Sequence, residues 1–569
     1  MKNSALRSTL LICALSLSLP FLRAQNQIEG PSGIRHVLLI SIDGMHAVDY
    51  LNCSRGLPGI NGGQPYCPNL AALGATGVSY RNTSTSKPSD SFPGLMTIVS
   101  GASAATLGVF YDVAYDRSLA PPAKTTGNGV AAGTCTPGVL NGTTTEYEEG
   151  IDLDQTQLNG GAPLGGGGIN SIDPAKLPRD PSKGCQPVYP WNFVRTNTMF
   201  GVVHNAGGYT AWSDKHPAYS SVSGPGNGDN VDDYYSPEIN STVVALPGVE
   251  TVTGKSCSPI PDSSQTGAWT DSFANIQCYD TLKVNAILNQ MDGKTSGGRP
   301  SVPVPNVFGM NFQAVSVGQK LIEKNAGAGG YLDAFGTPGA PLLNEIQFVD
   351  TAIGSMVAEL RRQNILSSTL IVITAKHGQS PIDPRRFTPI PGSSTTLTTP
   401  ATLIADLLPA SESPATKGGI GPTEDDISLL WLADSANTGA AVSKLEANEA
   451  AAGIGEIFAG NSVLPMFHAP SLPPSGDPRT PDIIVQPNVG VVYTSSSKKL
   501  AEHGGFANDD TNVMLLLSNP NFQAQSVISP VETKQIAPTI LRALGLNPNS
   551  LDGVKIEGTP VLPGVPFRR

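Results

Sequence analysis

The sequence predicts an α/β fold: a doubly wound, mostly parallel sheet flanked by helices, with loop-rich insertions and a smaller α+β subdomain. Three observations carry this. "IRHVLLISIDG" (residues 34–44) is an apolar run ending in Asp43-Gly44, the pattern of a buried parallel strand that delivers an acid at its C-terminal end. "STLIVITAKHG" (368–378) repeats the pattern and ends in Lys376-His377. Before it, Leu342, Ile346, Val349, Ile353, Met356 and Leu360 recur at helical spacing, so an amphipathic helix feeds a buried strand.

The other elements follow in order. The N-terminus, "MKNSALRSTLLICALSLSLPFLRAQ", has Lys2 and Arg7 ahead of an apolar run and a small residue at Ala24. The run is short for a membrane span and fits a cleaved secretory signal over residues 1–24, with an uncleaved anchor as the alternative. No further span is expected in the mature chain, and the expected location is outside the cell or in the periplasm. After Ser91, "GLMTIVSG" reads as a short helix with a glycine stop. Residues from about 120 to 190 are rich in Gly, Thr and Pro and read as an insert. "NTMFGVVHNAGGYTAWSDKH" (197–216) reads as helix, glycine turn and a strand ending at Asp214, Lys215 and His216; "VPNVFGMNFQAVS" (304–316) is another strand. The core is expected over 33–384, a cap-like α+β insertion over 385–495, and a return to the core over 496–569.

Composition narrows the function. The chain has 569 residues, only 14% of them charged, and a net charge of −11, so it offers no electrostatic footprint for a nucleic-acid duplex or an anionic membrane. Its 62 glycines and 49 prolines indicate long loops. Of seven cysteines, Cys13 lies in the signal. The other six allow fifteen connectivities; sequential pairing (53–67, 135–185, 257–278) is expected because each closes a Gly/Pro-rich loop.

The candidate chemistry lies at strand ends: Asp43; Ser91 in "KPSDSFPG"; Lys215-His216; Lys376-His377; and His503 in "AEHGGFANDD". Open α/β sheets bind ligands along that edge. Asp90, Asp509 and Asp510 are either extra ligands or loop acids. His46 and His468 read as packing or hydrogen-bonding groups, and His36 and His204 as structural.

In order, "VLLISIDGM", "KPSDSFPGLMTIVSG", "DTAIGSMVAELRRQNILSSTLIVITAKHG", "AEHGGFANDDTNVMLLL" and "TKQIAPTILRALGL" resemble the alkaline phosphatase superfamily, most closely its type I phosphodiesterase/nucleotide pyrophosphatase branch. The resemblance runs from about residue 35 to 550, inserts excluded. It implies a hydrolase of small anionic phosphate esters, with Ser91 as nucleophile and two zinc ions clamping the attacking and leaving oxygens. Asp43, Ser91, His377 and His503 match metal-ligand positions. Three others do not: Lys376 stands where the family has an Asp, and Val315 and Gln319 stand where it has an Asp and a His. Gly94 replaces an Asn that binds a phosphate oxygen. The two-zinc site is therefore incomplete, and one divalent ion, zinc by ligand type, is the expectation.

"GGYTAWSDKH" is similar to a stretch of the sulfatase branch in which a lysine and a histidine contact the ester oxygens. Lys376, Lys215, His216, His377 and His503 are thus candidates to take over part of a metal's work, because a protonated lysine stabilises developing negative charge. A salt bridge from Lys376 to Asp43 in an inert site is the alternative, giving an anion- or nucleotide-binding pseudoenzyme. A sulfatase-like esterase ranks third, since "SFPGL" lacks that branch's arginine.

Overall fold

The computed structural model describes residues 28–163, 168–242, 268–324, 326–392, 396–414 and 420–567. The expected signal over 1–24 lies outside them. Eight strands form the central sheet: β1 (His36–Ile42), β2 (Gly77–Tyr80), β3 (Ala211–Ser213), β4 (Asp233–Tyr235), β5 (Val307–Phe312), β6 (Thr369–Thr374), β7 (Leu515–Ser518) and β8 (Gln525–Val527). Their order is β8-β2-β7-β6-β1-β5-β3-β4. From β6 to β4 every pairing is parallel, whereas β7 runs antiparallel to both β6 and β2. The mostly parallel α/β expectation holds.

β1 is central because both of its faces are apolar. Val37 and Leu39 pack into one core with Phe92, Leu95, Ile540 and Leu541. Leu38, Ile40 and Ile42 pack into the other with Leu342, Ile346, Val349 and Ile353. This alternation is the period-two geometry of a strand covered on both sides. The covering helices are α1 (Ser91–Ser100), α2 (Phe273–Met291), α3 (Ala314–Lys320), α4 (Ala340–Arg362) and α5 (Ile536–Ala543). The helical spacing from Leu342 to Leu360 falls inside α4.

Register aligns the chemistry. Ser41 pairs with Asn311 on one side and Thr374 on the other, so the C-terminal ends of β1, β5 and β6 lie level. Asp43, Gln313 and Lys376-His377 emerge there side by side, and Asp214-Lys215-His216 follow β3 at the same edge.

The stretch from 385 to 495 contains a four-stranded sheet of Thr423–Glu424, Ser428–Leu430, Ile483–Pro487 and Ile454–Ala459 with a helix at Thr438–Glu446. The 120–190 stretch is mostly irregular, but Thr143–Glu146 pairs with Val113–Asp116. Disulfides join Cys53 to Cys67 and Cys135 to Cys185. Cys278 is also disulfide-bonded; its expected partner, Cys257, lies outside the described residues.

Candidate active site

Ser91 opens α1 and is fully buried. Asp90 is the N-cap, its carboxylate accepting from the Phe92 amide at 3.3 Å and the Asp112 amide at 3.0 Å. It is a helix cap before anything else. Gly101, in the left-handed region at φ 77°, ends the helix. Gly94 has a packing reason of its own: a Cβ there would lie 2.3 Å from the Lys376 carbonyl oxygen. Gly94 lets α1 approach the end of β6 closely.

Two groups converge on the Ser91 hydroxyl. Lys215 Nζ donates to Oγ at 2.9 Å, and His377 Nε2 lies 3.2 Å from it. His377 Nδ1 is 2.8 Å from the Gly378 carbonyl. A carbonyl only accepts, so a neutral His377 carries its proton on Nδ1 and turns the Nε2 lone pair to Ser91. Burial works against the charge on Lys215, yet Asp43, Asp112, Asp214 and Asp90 outweigh it and raise the ammonium above its ordinary range.

Asp43 stands beside this group, its Oδ2 3.6 Å from His377 Nε2. Asn311 and Gln313 donate side-chain amides to its two oxygens at 2.7 and 2.6 Å. Burial opposes its ionisation, but Lys376, His377 and Lys215 hold it well below the carboxylate range. Lys376 itself does not bridge to Asp43. Its Nζ donates to Asp214 Oδ1 at 2.8 Å and sits 4.2 Å from the centroid of the Tyr219 ring. Tyr219 in turn donates to the Asp112 carboxylate at 3.0 Å.

His503 stacks on His377 with ring centroids 3.9 Å apart. Burial and the neighbouring His377 push its pKa well down, so it is neutral. Ser91 is sealed, whereas Lys215 and His503 keep partial exposure and mark the side open to solvent.

Val315 and Gln319, which the resemblance sets at a second metal position, are both buried. Val315 is a core residue, and Gln319 donates to the Gly44 carbonyl at 2.7 Å and to the Tyr331 hydroxyl at 2.8 Å. The same corner holds His46, bound to Asp49 at 2.9 Å, which is the hydrogen-bonding role expected of it. Neither a valine nor an amide replaces a carboxylate or imidazole ligand, and Lys376 adds a cation. The residues around Ser91 do not fit the two-metal set. Of the other loop acids, Asp509 accepts from the Ile382 amide at 2.9 Å, and Asp510 faces Asp426.

His216 departs from Lys215. Its ring turns to Glu238, with Nδ1 2.9 and 3.0 Å from the two carboxylate oxygens, and to Glu149, whose Oε2 is 3.8 Å from Nε2. Among the described residues, Glu149, His216 and Glu238 form the one group of three whose ligand atoms could hold a metal ion. It supplies at most one reduced site, and it is not the Asp43–Ser91–His377–His503 set. Glu149 and Glu238 escape sequence reading. The first sits in the acidic run "EYEEGIDLD" inside the insert, and the second follows β4 with no motif around it.

Residues 37–144 match the model of the type I phosphodiesterase / nucleotide pyrophosphatase family. Among solved structures, murine ectonucleotide pyrophosphatase / phosphodiesterase 5 superposes with a TM-score of 0.50 at 14% identity, covering 90% of this chain and 95% of that one. The human protein of the same name gives 0.50 at 13%, with the same coverage. The fold is alkaline-phosphatase-like, a mostly parallel sheet flanked by helices. At such identities the likeness is one of fold. No curated protein matches the chain by sequence. Within this alkaline-phosphatase-like frame, lysines and amides occupy ground that the resemblance assigns to zinc.

Proposed function

We propose that this chain is a hydrolase of small phosphate esters that uses Ser91 as nucleophile with lysine assistance. The observation that carries the reading is the convergence of Lys215 Nζ and His377 Nε2 on one serine oxygen. His377 takes the Ser91 proton as Oγ attacks phosphorus. The Oγ–P bond forms, the P–O bond to the leaving group breaks, and the leaving oxygen is protonated from His377 or water. Water then attacks the phosphoryl-serine, the Oγ–P bond breaks, and Ser91 regains its proton. Lys215 stays cationic and stabilises charge on Oγ and on the phosphoryl oxygens. Lys376 contributes to the field through Asp214 and Tyr219, and neutral His503 accepts a proton from the attacking water.

Export to an oxidising compartment, secreted or periplasmic, suits the disulfides. No described helix is long and apolar enough to cross a membrane.

The test is acid-quenched turnover of p-nitrophenyl phosphate and bis-p-nitrophenyl phosphate. A phosphoryl group is expected on the peptide containing Ser91, and Ser91→Ala should lose turnover by on the order of 10⁴ or more. Full turnover by that variant would end the reading. The absent ligands at Val315 and Gln319 favour a second one, a pseudoenzyme that holds an anion between Lys215 and His503. Saturable phosphate binding with no turnover of either ester would establish it.

A further inference from the structure

The cluster behind Lys215 has the opposite electrostatics from the Ser91 side. His216 lies between two glutamates that come from different parts of the chain. Glu238 lies on its Nδ1 side and is held by the Asn240 amide at 2.9 Å. Glu149 lies on its Nε2 side, and its Oε1 accepts from the Asn128 amide at 3.0 Å. The remaining oxygen, Glu149 Oε2, is buried without a hydrogen-bond partner and points at Nε2 from 3.8 Å. That gap is too long for a hydrogen bond. An ion ~2.1 Å from each atom, the ordinary zinc distance to imidazole and carboxylate, would span it. Asp152 is fully buried beside Glu238; no protein donor reaches its carboxylate, and the two acids hydrogen-bond to each other only when one of them is protonated. The facing cations do not neutralise the group. Lys176 gives its ammonium to the Asp152 backbone carbonyl, Lys215 goes to Ser91, and Lys376 goes to Asp214.

We propose that Glu149, His216 and Glu238, with Asp152 as a further carboxylate, form a divalent metal site that takes zinc. One imidazole among carboxylates suits zinc better than calcium or magnesium, which prefer all-oxygen shells. Glu238 either ligates or fixes the ring through Nδ1, as carboxylates do behind metal-bound histidines. The ion ties the 143–152 part of the insert to the end of β3 and so fixes Lys215, the residue before His216, against Ser91. His216 is then a positioning residue for Lys215, and the site does not depend on the hydrolytic reading.

The experiment loads the full chain with zinc or cobalt(II), dialyses it, measures metal content, and records X-ray absorption at the zinc edge and the visible spectrum of the cobalt form. About one equivalent is expected, with one imidazole among oxygens. Glu149→Gln and Glu238→Gln should each weaken binding by ~10–100-fold, while Asp43→Asn keeps the ion. No retained metal would overturn the proposal, as would loss in Asp43→Asn with retention in Glu149→Gln. Two imidazoles in the absorption spectrum would overturn it too, placing the ion at His377 and His503. If a glutamine variant does not fold, the wild-type imidazole count still decides. Ester turnover is not the readout, so an inert Ser91 and an absent metal give different results.

Discussion

Lys215 and His216 are adjacent in sequence and face opposite electrostatic worlds. On the Ser91 side, the buried anions are matched. Asp43 has two amides and nearby lysines, Asp214 has Lys376, and Asp90 caps a helix. On the His216 side, Glu149 keeps a buried oxygen that no donor reaches, and the neighbour of Asp152 is a second acid, Glu238, rather than a cation. Buried charge persists only when paired or metal-bound. The contrast separates ground where the chain already supplies a cation from ground where one is still wanted. In this chain the metal positions implied by resemblance are the supplied ones.

Lys376 is where the contrast is most easily destroyed. Lys376→Met leaves Asp214 buried without its ammonium and should cost about 3–5 kcal/mol in urea unfolding. A loss below about 1 kcal/mol would mean that Trp212 and the Lys215 amide satisfy Asp214 unaided. Lys215→Met acts on chemistry more than on stability. It removes one donor from Ser91 and should lower kcat by ~10²–10³-fold with little change in KM. An equal loss confined to KM would make Lys215 a binding residue only.

Glu412 tests the other half, because it is a buried carboxyl with no cation acting on it among the described residues. Burial raises its pKa to about 7 despite a hydrogen bond from Thr144. Its native value lies above its unfolded one, so the native state holds the proton between them. Its contribution is full below about pH 4 and is lost as pH rises from there through about 7. Glu412→Gln should therefore flatten the decline in unfolding free energy across that window by roughly 3 kcal/mol. An unchanged slope between pH 4 and 8 would show that Glu412 ionises freely.

Much of the frame is legible in the sequence. The apolar runs before Asp43 and Lys376 are real strands, and each polar residue that ends a run reaches the sheet edge, because a doubly covered strand admits polarity only where it stops. The Asp214-Lys215-His216 end of β3 obeys the same rule. Two of the expected disulfides form. Direction is not legible. A bridge from Lys376 to Asp43 is one of the two readings of the sequence, yet Lys376 pairs with Asp214, since a strand end fixes where a side chain emerges and not which neighbour takes its ammonium. His216 groups with Ser91 by motif and turns away from it in space.

Hydrophobic period and residue type suffice for the mostly parallel α/β sheet and for the strand-end stations of Asp43, Lys215 and His377, and the family resemblance for Ser91 and for the incompleteness of a two-zinc set. Folding in three dimensions sets Gly94 against the Lys376 backbone, hands Asp43 to Asn311 and Gln313, and brings Glu149 and Glu238 together at His216. Asp43 and Gln313 alone lie 270 residues apart in the chain. The loops that bring such partners together carry no periodicity, and closing a longer loop costs little more than a shorter one, so nothing local in the sequence records where they land.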